Sequence, residues 1–224
     1  MFTKIEVRDV ACIRHVEIEL TPVHAFIGPN DSGKSTVLRC IEALSQAPVG
    51  DPGFLLEQSP GASIRAWTAE GVSSAVLARP AKVQRDVRGD LGSAALVRFD
   101  AGALRKPSSL IPESDRIRFF SGRGQGLPGV YQAILSRGDD TFYRITEELR
   151  TLFPTVRHLR VPALSSDTLG IEVELVDGRR VRAEGLSDGI LYYLGFTALQ
   201  HITPMGCLLV EEPENGLHPS RIRV

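Results

Sequence analysis

The run Gly28-Pro29-Asn30-Asp31-Ser32-Gly33-Lys34-Ser35-Thr36 constrains this chain more than any other stretch. Its spacing is glycine, four residues, glycine, lysine, then serine or threonine, which is the pattern of a phosphate-binding loop. Glycines let the backbone curl and turn successive N–H groups toward an anion. Lys34 is placed to reach the outer phosphates of a nucleotide, and Ser35 to offer its hydroxyl to Mg²⁺. The helix that follows adds the positive end of its dipole. The flanks suit such a loop. Ala25-Phe26-Ile27 is a short apolar run, read as a buried strand. Val37, Leu38, Ile41 and Leu44 recur at helical spacing. A glycine turn without a ligand is the bland alternative.

Two further motifs carry chemistry. In Cys207-Leu208-Leu209-Val210-Glu211-Glu212-Pro213 an apolar strand ends in two acids. Beside a phosphate loop, the first acid holds the metal and the second orients or deprotonates water. Glu211 is assigned to the metal and Glu212 to the water; a core strand meeting a solvated turn is the alternative. Gly185-Leu186-Ser187-Asp188-Gly189 precedes Ile190, Leu191, Leu194 and Leu199, which mark a helix. Ser187 reads as its N-cap, and a helix start of this kind also attracts anions. A plain capped helix would look the same.

Phosphate loop, Leu-Ser-Asp-Gly and Glu-Glu-Pro strand, in this order, resemble an ABC-type ATPase head, most closely the branch of RecF, SMC proteins and OLD-type ATPases. The opening, Ile5-Glu6-Val7-Arg8-Asp9-Val10 and then Val16-Glu17-Ile18-Glu19-Leu20, is similar to that branch's two antiparallel strands. The resemblance covers residues 1–45 and 185–219 well and the middle loosely. It implies an α/β P-loop NTPase: a mixed central sheet, an antiparallel N-terminal β subdomain and a helical lobe carrying the signature motif. It also implies ATP and Mg²⁺, held between two heads packed head to tail. Gly28, Pro29, Asn30, Asp31, Ser32, Gly33, Lys34, Ser35 and Thr36 would bind the nucleotide of one copy. Ser187 and Gly189 of the other would touch its γ-phosphate. Ser35 and Glu211 would hold the metal. Lys34, Glu212 and a loop glutamine would act in hydrolysis. Gln125, in Ser121-Gly122-Arg123-Gly124-Gln125-Gly126 after the strand-like Ile117-Arg118-Phe119-Phe120, is the first candidate for that glutamine, and Gln84 the second. A merely flexible glycine loop is the alternative there. Glu214-Asn215-Gly216-Leu217-His218 resembles the loop lining the dimer seam, with His218 either in a role there or simply part of the turn.

The departures point away from a transport subunit. Asp188 replaces a glycine that transporters carry, and Glu211 stands where they have aspartate. Ala11-Cys12, with Arg14 nearby, occupies the place where the branch often has a basic nucleotide contact. The family continues beyond the acidic strand with another core strand and a switch histidine. The expectation is therefore one head over residues 1–224, a piece of a longer protein, with lobes at 1–120 and 121–224. The function expected is ATP binding and hydrolysis by a dimer that drives a conformational switch, in DNA repair or phage defence. The alternative is a nucleotide-gated module that clamps a partner, such as a nuclease, without turnover.

Composition sets outer limits. Hydrophobic residues make up 42% and charged residues 24% of 224, ordinary for a chain with a sizeable core. No apolar stretch is long enough to cross a bilayer. Cys12, Cys40 and Cys207 lack disulfide or zinc spacing, and a reducing cytoplasm is expected. The net charge of −1 is not that of a dedicated nucleic-acid binder. Arginines do cluster at 116, 118 and 123, and at 179, 180 and 182. The second group flanks Asp177-Gly178, a hairpin signal, and reads as a solvated face rather than a DNA track. Residues 46–115 read as small antiparallel strands with glycine- and proline-rich links, with Trp67 as packing or a stacking ring. Residues 128–153 read as helix, limited by Pro154.

Overall fold

Alternation along the first twenty residues produces the expected hairpin. β1 (Phe2–Val10) and β2 (Ile13–Glu19) pair antiparallel, with Ile5 opposite Ile18 and Val7 opposite Val16. The computed structural model describes residues 2–45, 61–68, 71–78, 82–87, 94–202 and 206–214, with 72–78 and 82–87 as backbone alone. Within them the chain forms two compact units, Met1–Leu96 with Met205–Glu211, and Val97–Pro204 with Glu212–Val224.

In the first unit β3 (Ser63–Thr68), β4 (Gly71–Ala78) and β5 (Lys82–Val87) extend the hairpin to a five-stranded antiparallel sheet, order β2-β1-β3-β4-β5. Side chains alternate across such a sheet. On one face Ile5, Val7, Ile64 and Ala66 are fully buried, in one core with Val37, Ile41 and Leu44 of α1 (Lys34–Ser45). Each large apolar side chain so buried contributes about 1.5–3 kcal/mol. The other face is polar, and Glu6 is its hub. Glu6 is only 5% exposed, and its carboxylate meets Arg8, His15 and Arg65. Burying a carboxylate is costly unless it is paired. The hydrogen bond from Arg8, then that from His15, hold the Glu6 carboxyl below the usual range. Trp67 belongs to this face as packing, with the Lys4 ammonium 4.9 Å from its ring centre.

Ala25-Phe26-Ile27 departs from expectation. It forms no strand, and Ile27 is 95% exposed. A buried strand needs ladder partners on its flanks, and no described strand pairs with it. Near α1, β6 (Ala94–Val97) pairs with β10 (Cys207–Val210), and Leu209 joins the core of the first unit.

The second unit is built around helices. α2 (Ala101–Leu104), α3 (Leu127–Ser136), α4 (Thr141–Leu152) and α5 (Asp188–Leu199) share a core with β7 (Val156–Arg160), β8 (Glu172–Leu175) and β9 (Arg180–Arg182). Those strands form a sheet of order β7-β8-β9, with Gly178 at φ 84° in the Asp177-Gly178 turn. The single helix expected over 128–153 is two. Gly138 adopts φ 70°, which ends α3, and Asp139 accepts the Thr141 N–H at 2.9 Å as α4 begins. Ile117-Arg118-Phe119-Phe120 is not a strand either. Its last residue instead donates its N–H to the Gln125 carbonyl at 2.7 Å, closing the glycine loop. Tyr131 is fully buried and gives its hydroxyl to the Leu194 carbonyl at 3.0 Å, joining α3 to α5.

Gly124 sits at φ 94°, and a Cβ there would lie 2.5 Å from Leu104 Cδ2 and 2.9 Å from Phe99 Cδ1. Gly124→Ala combines backbone strain with overpacking and should cost about 3 kcal/mol. A thermal melt should register this as a clear drop in Tm; an unchanged Tm would contradict the packing described.

Candidate functional site: a phosphate loop and a signature helix

The loop at 28–36 bridges β2 and α1 in space. Asn30 and Asp31 form its turn, Asp31 at φ 62° and Gly33 at φ 90°. Gly33 has no room for a side chain, since a Cβ would lie 2.8 Å from Ile13 Cγ1. The first residue of β2 thus floors the loop, and only glycine fits above it. The Gly33 carbonyl accepts from Val37 N at 3.0 Å, so α1 starts within the motif. The first N–H groups of a helix have no intrahelical partner and favour an anion. Lys34 Nζ donates to the Gly28 and Pro29 carbonyls at 2.8 and 2.7 Å, with Ser32 Oγ at 3.5 Å. Ser35 and Thr36 are half-buried in the first turn, and Cys12 Sγ is 3.9 Å from Thr36 Oγ1. Beside the loop opens a cavity of about 520 Å³, lined by His15, Val16, Phe26, Gly28 and Lys34 among others. That volume suits a small-molecule ligand.

Glu211 follows β10 in the same unit and is 8% exposed. Its Oε1 is buried with no hydrogen-bond partner among the described residues. An unsatisfied buried oxygen costs about 1–3 kcal/mol. A hard cation would relieve that cost, because carboxylate and hydroxyl oxygens are the donors Mg²⁺ prefers. Glu211 and Ser35 therefore fit a Mg²⁺ site in donor chemistry.

Gln125, Ser187, Gly189 and Glu212 lie in the second unit. Ser187 occupies the N-cap position of α5, its carbonyl accepting from Ile190 and Leu191 N. Its side chain, however, makes no capping bond and is exposed. The hydroxyl read as a cap is thus not used as one. Gly189 is the second residue of α5 and Gln125 is half-buried in the closed glycine loop. Glu212 adopts φ 51°, a conformation uncommon outside glycine. Asn215, Gly216, Leu217 and His218 lie outside the described residues, as does the Gln84 side chain.

Two arginines escaped the sequence reading. Arg98 donates to Glu212 Oε2 at 2.8 Å. Arg105 donates to the Leu186 carbonyl at 3.0 Å and to Asp188 Oδ1 at 2.5 Å, gripping the start of α5. No motif spacing points to either. Their partners are 114 and 83 residues away, so only the fold pairs them.

Residues 96–223, more than half of the chain, match the family model described as "AAA domain, putative AbiEii toxin, Type IV TA system". The chain belongs to this AAA-domain family. A stretch of 42 residues is 36% identical to an OLD nuclease of Thermus scotoductus (strain ATCC 700910 / SA-01), covering 19% of this chain and 8% of that protein. The chain therefore spans a small part of that relative's length. Among solved structures, the SMC head bound to the C-terminal winged-helix domain of ScpA superposes with a TM-score of 0.57 at 14% identity, over 88% of this chain and 74% of the other. The fold is thus the α/β P-loop NTPase fold that the SMC head also has, within the AAA-domain family. No described helix is long and apolar enough to cross a membrane.

Arg105→Ala removes both contacts at the start of α5 and should destabilise the protein by about 1 kcal/mol. Hydrogen exchange at the Ile190 and Leu191 amides should accelerate. Unchanged protection there would mean that Arg105 does not hold this helix start.

Proposed function

We propose that the protein binds MgATP on the loop at 28–36 and hydrolyses it to ADP and phosphate in a head-to-tail homodimer, the cycle driving a conformational switch. The observation that carries this reading is the loop itself: left-handed Gly33 pressed on Ile13, Lys34 at its mouth and the start of α1 behind it. Backbone N–H groups from Asn30 to Gly33 cradle the phosphates, and Lys34 exchanges its two carbonyl acceptors for phosphate oxygens. Ser35 and Glu211 would hold Mg²⁺, which when bound would neutralise charge on the outer phosphates. Glu212 accepts the proton of the attacking water, and Gln125 positions that water. Ser187 and Gly189 of the second copy close on the γ-phosphate, a role supported by the uncommitted Ser187 hydroxyl and the free amides of α5.

The Arg98–Glu212 pair supports a second reading. The Arg98 guanidinium occupies an oxygen of this carboxylate that water would have to meet, so the protein would then be a nucleotide-gated clamp on a partner, with little turnover. Similarity to an OLD nuclease supports a nuclease as that partner; DNA as a partner, DNA repair or phage defence, and a cytoplasmic setting belong to the same proposal.

Titration calorimetry with MgATP, alongside a phosphate-release assay, tests both readings. The parent chain should bind and hydrolyse ATP. Lys34→Ala, losing charge-assisted hydrogen bonds, should bind about 10- to 100-fold more weakly. Unchanged affinity in that variant would sink the site. Tight binding without phosphate release would favour the clamp.

A further inference from the structure

A second groove, of about 500 Å³, is built wholly from the 109–120 stretch of the second unit. The chain enters along one wall, turns at Pro112–Asp115 with a 2.9 Å bond from the Asp115 N–H to the Pro112 carbonyl, and returns along the other. The two walls do not zip together. Among the described residues no backbone hydrogen bond joins 109–111 to 116–119. Each wall is anchored from behind instead. Ser108 exchanges two backbone bonds with Leu169, at 3.1 and 2.8 Å, and its Oγ accepts the Gly129 N–H at 2.9 Å. Ile111 is buried in the core. On the return wall Ile117 and Phe119 pack inward, and the Phe119 ring meets Phe99 edge-on at 5.2 Å.

Burial on the return wall alternates, so Arg116, Arg118 and Phe120 share the outer side. Neither arginine has an ion pair or hydrogen bond among the described residues. Phe120 is 53% exposed, yet its ring is held in place: it lies so close over Gly126 that a Cβ there would be 3.1 Å from it. Across the groove Leu110 is 58% exposed. The one carboxylate lining the groove, Asp115, sits at the turn and accepts the Ser114 hydroxyl at 3.1 Å. Two uncommitted guanidiniums and an apolar end therefore line an open slot with fixed walls.

We propose that this groove binds an extended acidic peptide segment of a protein partner. Alternate residues of an extended peptide are about 7 Å apart on one side, the same repeat as Arg116, Arg118 and Phe120. Running antiparallel, an apolar side chain would meet Phe120 and Leu110, and carboxylates two and four residues later would meet Arg118 and Arg116. Guanidinium forks match carboxylates in pairs. The backbone groups of 116–119, unbonded among the described residues, can pair with the peptide's own. Walls already held in place spare the cost of ordering them on binding. A nucleic-acid backbone fits less well, because its continuous charge would have to pass Glu113 and Asp115 at the turn. A peptide can carry two charges and stay neutral beyond them. No residue assigned to the nucleotide lines this groove, so the proposal stands whether or not ATP binds.

Fluorescence anisotropy of the full chain with the fluorescein-labelled heptapeptide Gly-Leu-Thr-Glu-Thr-Glu-Gly tests it. Binding should saturate and weaken with salt. The same peptide with lysines for its glutamates should not bind. Arg116→Glu/Arg118→Glu should weaken binding about tenfold, since two favourable pairs become repulsive. Arg116→Gln/Arg118→Gln should fall between that variant and the parent, and Leu110→Ser should lose roughly fivefold through its apolar contact. A parental Tm in the last two variants separates lost binding from lost folding. Arg144→Glu, outside the groove, should bind like the parent. Absence of saturable binding, equal binding of the lysine peptide, or affinity unchanged in the arginine variants would overturn the proposal. Equal displacement by oligothymidylate would overturn it in favour of a nucleic acid. A peptide-free dimer that dissociates in Leu110→Ser would overturn it in favour of a second copy of this chain.

Discussion

The ammonium of Lys34, resting on the carbonyls of Gly28 and Pro29, is the contact on which the rest of the first unit converges. It draws the loop around its own cation. For that to happen, both ends of the loop must be held. Ile13 holds one end by filling the space under Gly33, and the β1–β2 pairing holds Ile13. The apolar face of α1 holds the other, through Val37, Ile41 and Leu44 in the core shared with Ile5 and Val7. A phosphate is a stronger acceptor for an ammonium than a neutral carbonyl. The loop is therefore preorganised for an anion that can outbid its own backbone.

The second unit prepares a different surface by a similar device. Arg105 grips the Leu186 carbonyl and Asp188 at the first turn of α5. That leaves the Ser187 hydroxyl outside the cap and facing solvent. Arg98 acts in the same way on Glu212. Long-range arginines thus set the motif residues of this unit, while the local backbone sets those of the loop.

This difference explains what could be read from the sequence. The β1–β2 hairpin, the buried side of α1, the Asp177-Gly178 turn and the start of α5 follow from periodicity and turn chemistry within a few residues. The phosphate loop and the acids after β10 follow from fixed spacing. Ala25-Phe26-Ile27 misled because an apolar run signals burial only when neighbouring strands exist to cover it. The helix over 128–153 misled because its apolar spacing continues across Gly138, whose φ of 70° breaks it. Arg98 and Arg105 were illegible because their partners lie 114 and 83 residues along the chain. The arginines around the Asp177-Gly178 turn were half legible: those of β9 stood out, but those of β7 join them only through sheet register and a bulge.

The orphan oxygen of Glu211 and the uncommitted hydroxyl of Ser187 share one implication. Under the proposed function the first would meet a metal and the second a neighbour's phosphate. The most direct test is the solution mass of the Glu212→Gln chain by light scattering, with and without MgATP. The account predicts a dimer that forms only with MgATP and is lost on adding Ser187→Arg. A monomer that binds MgATP yet never dimerises would contradict it.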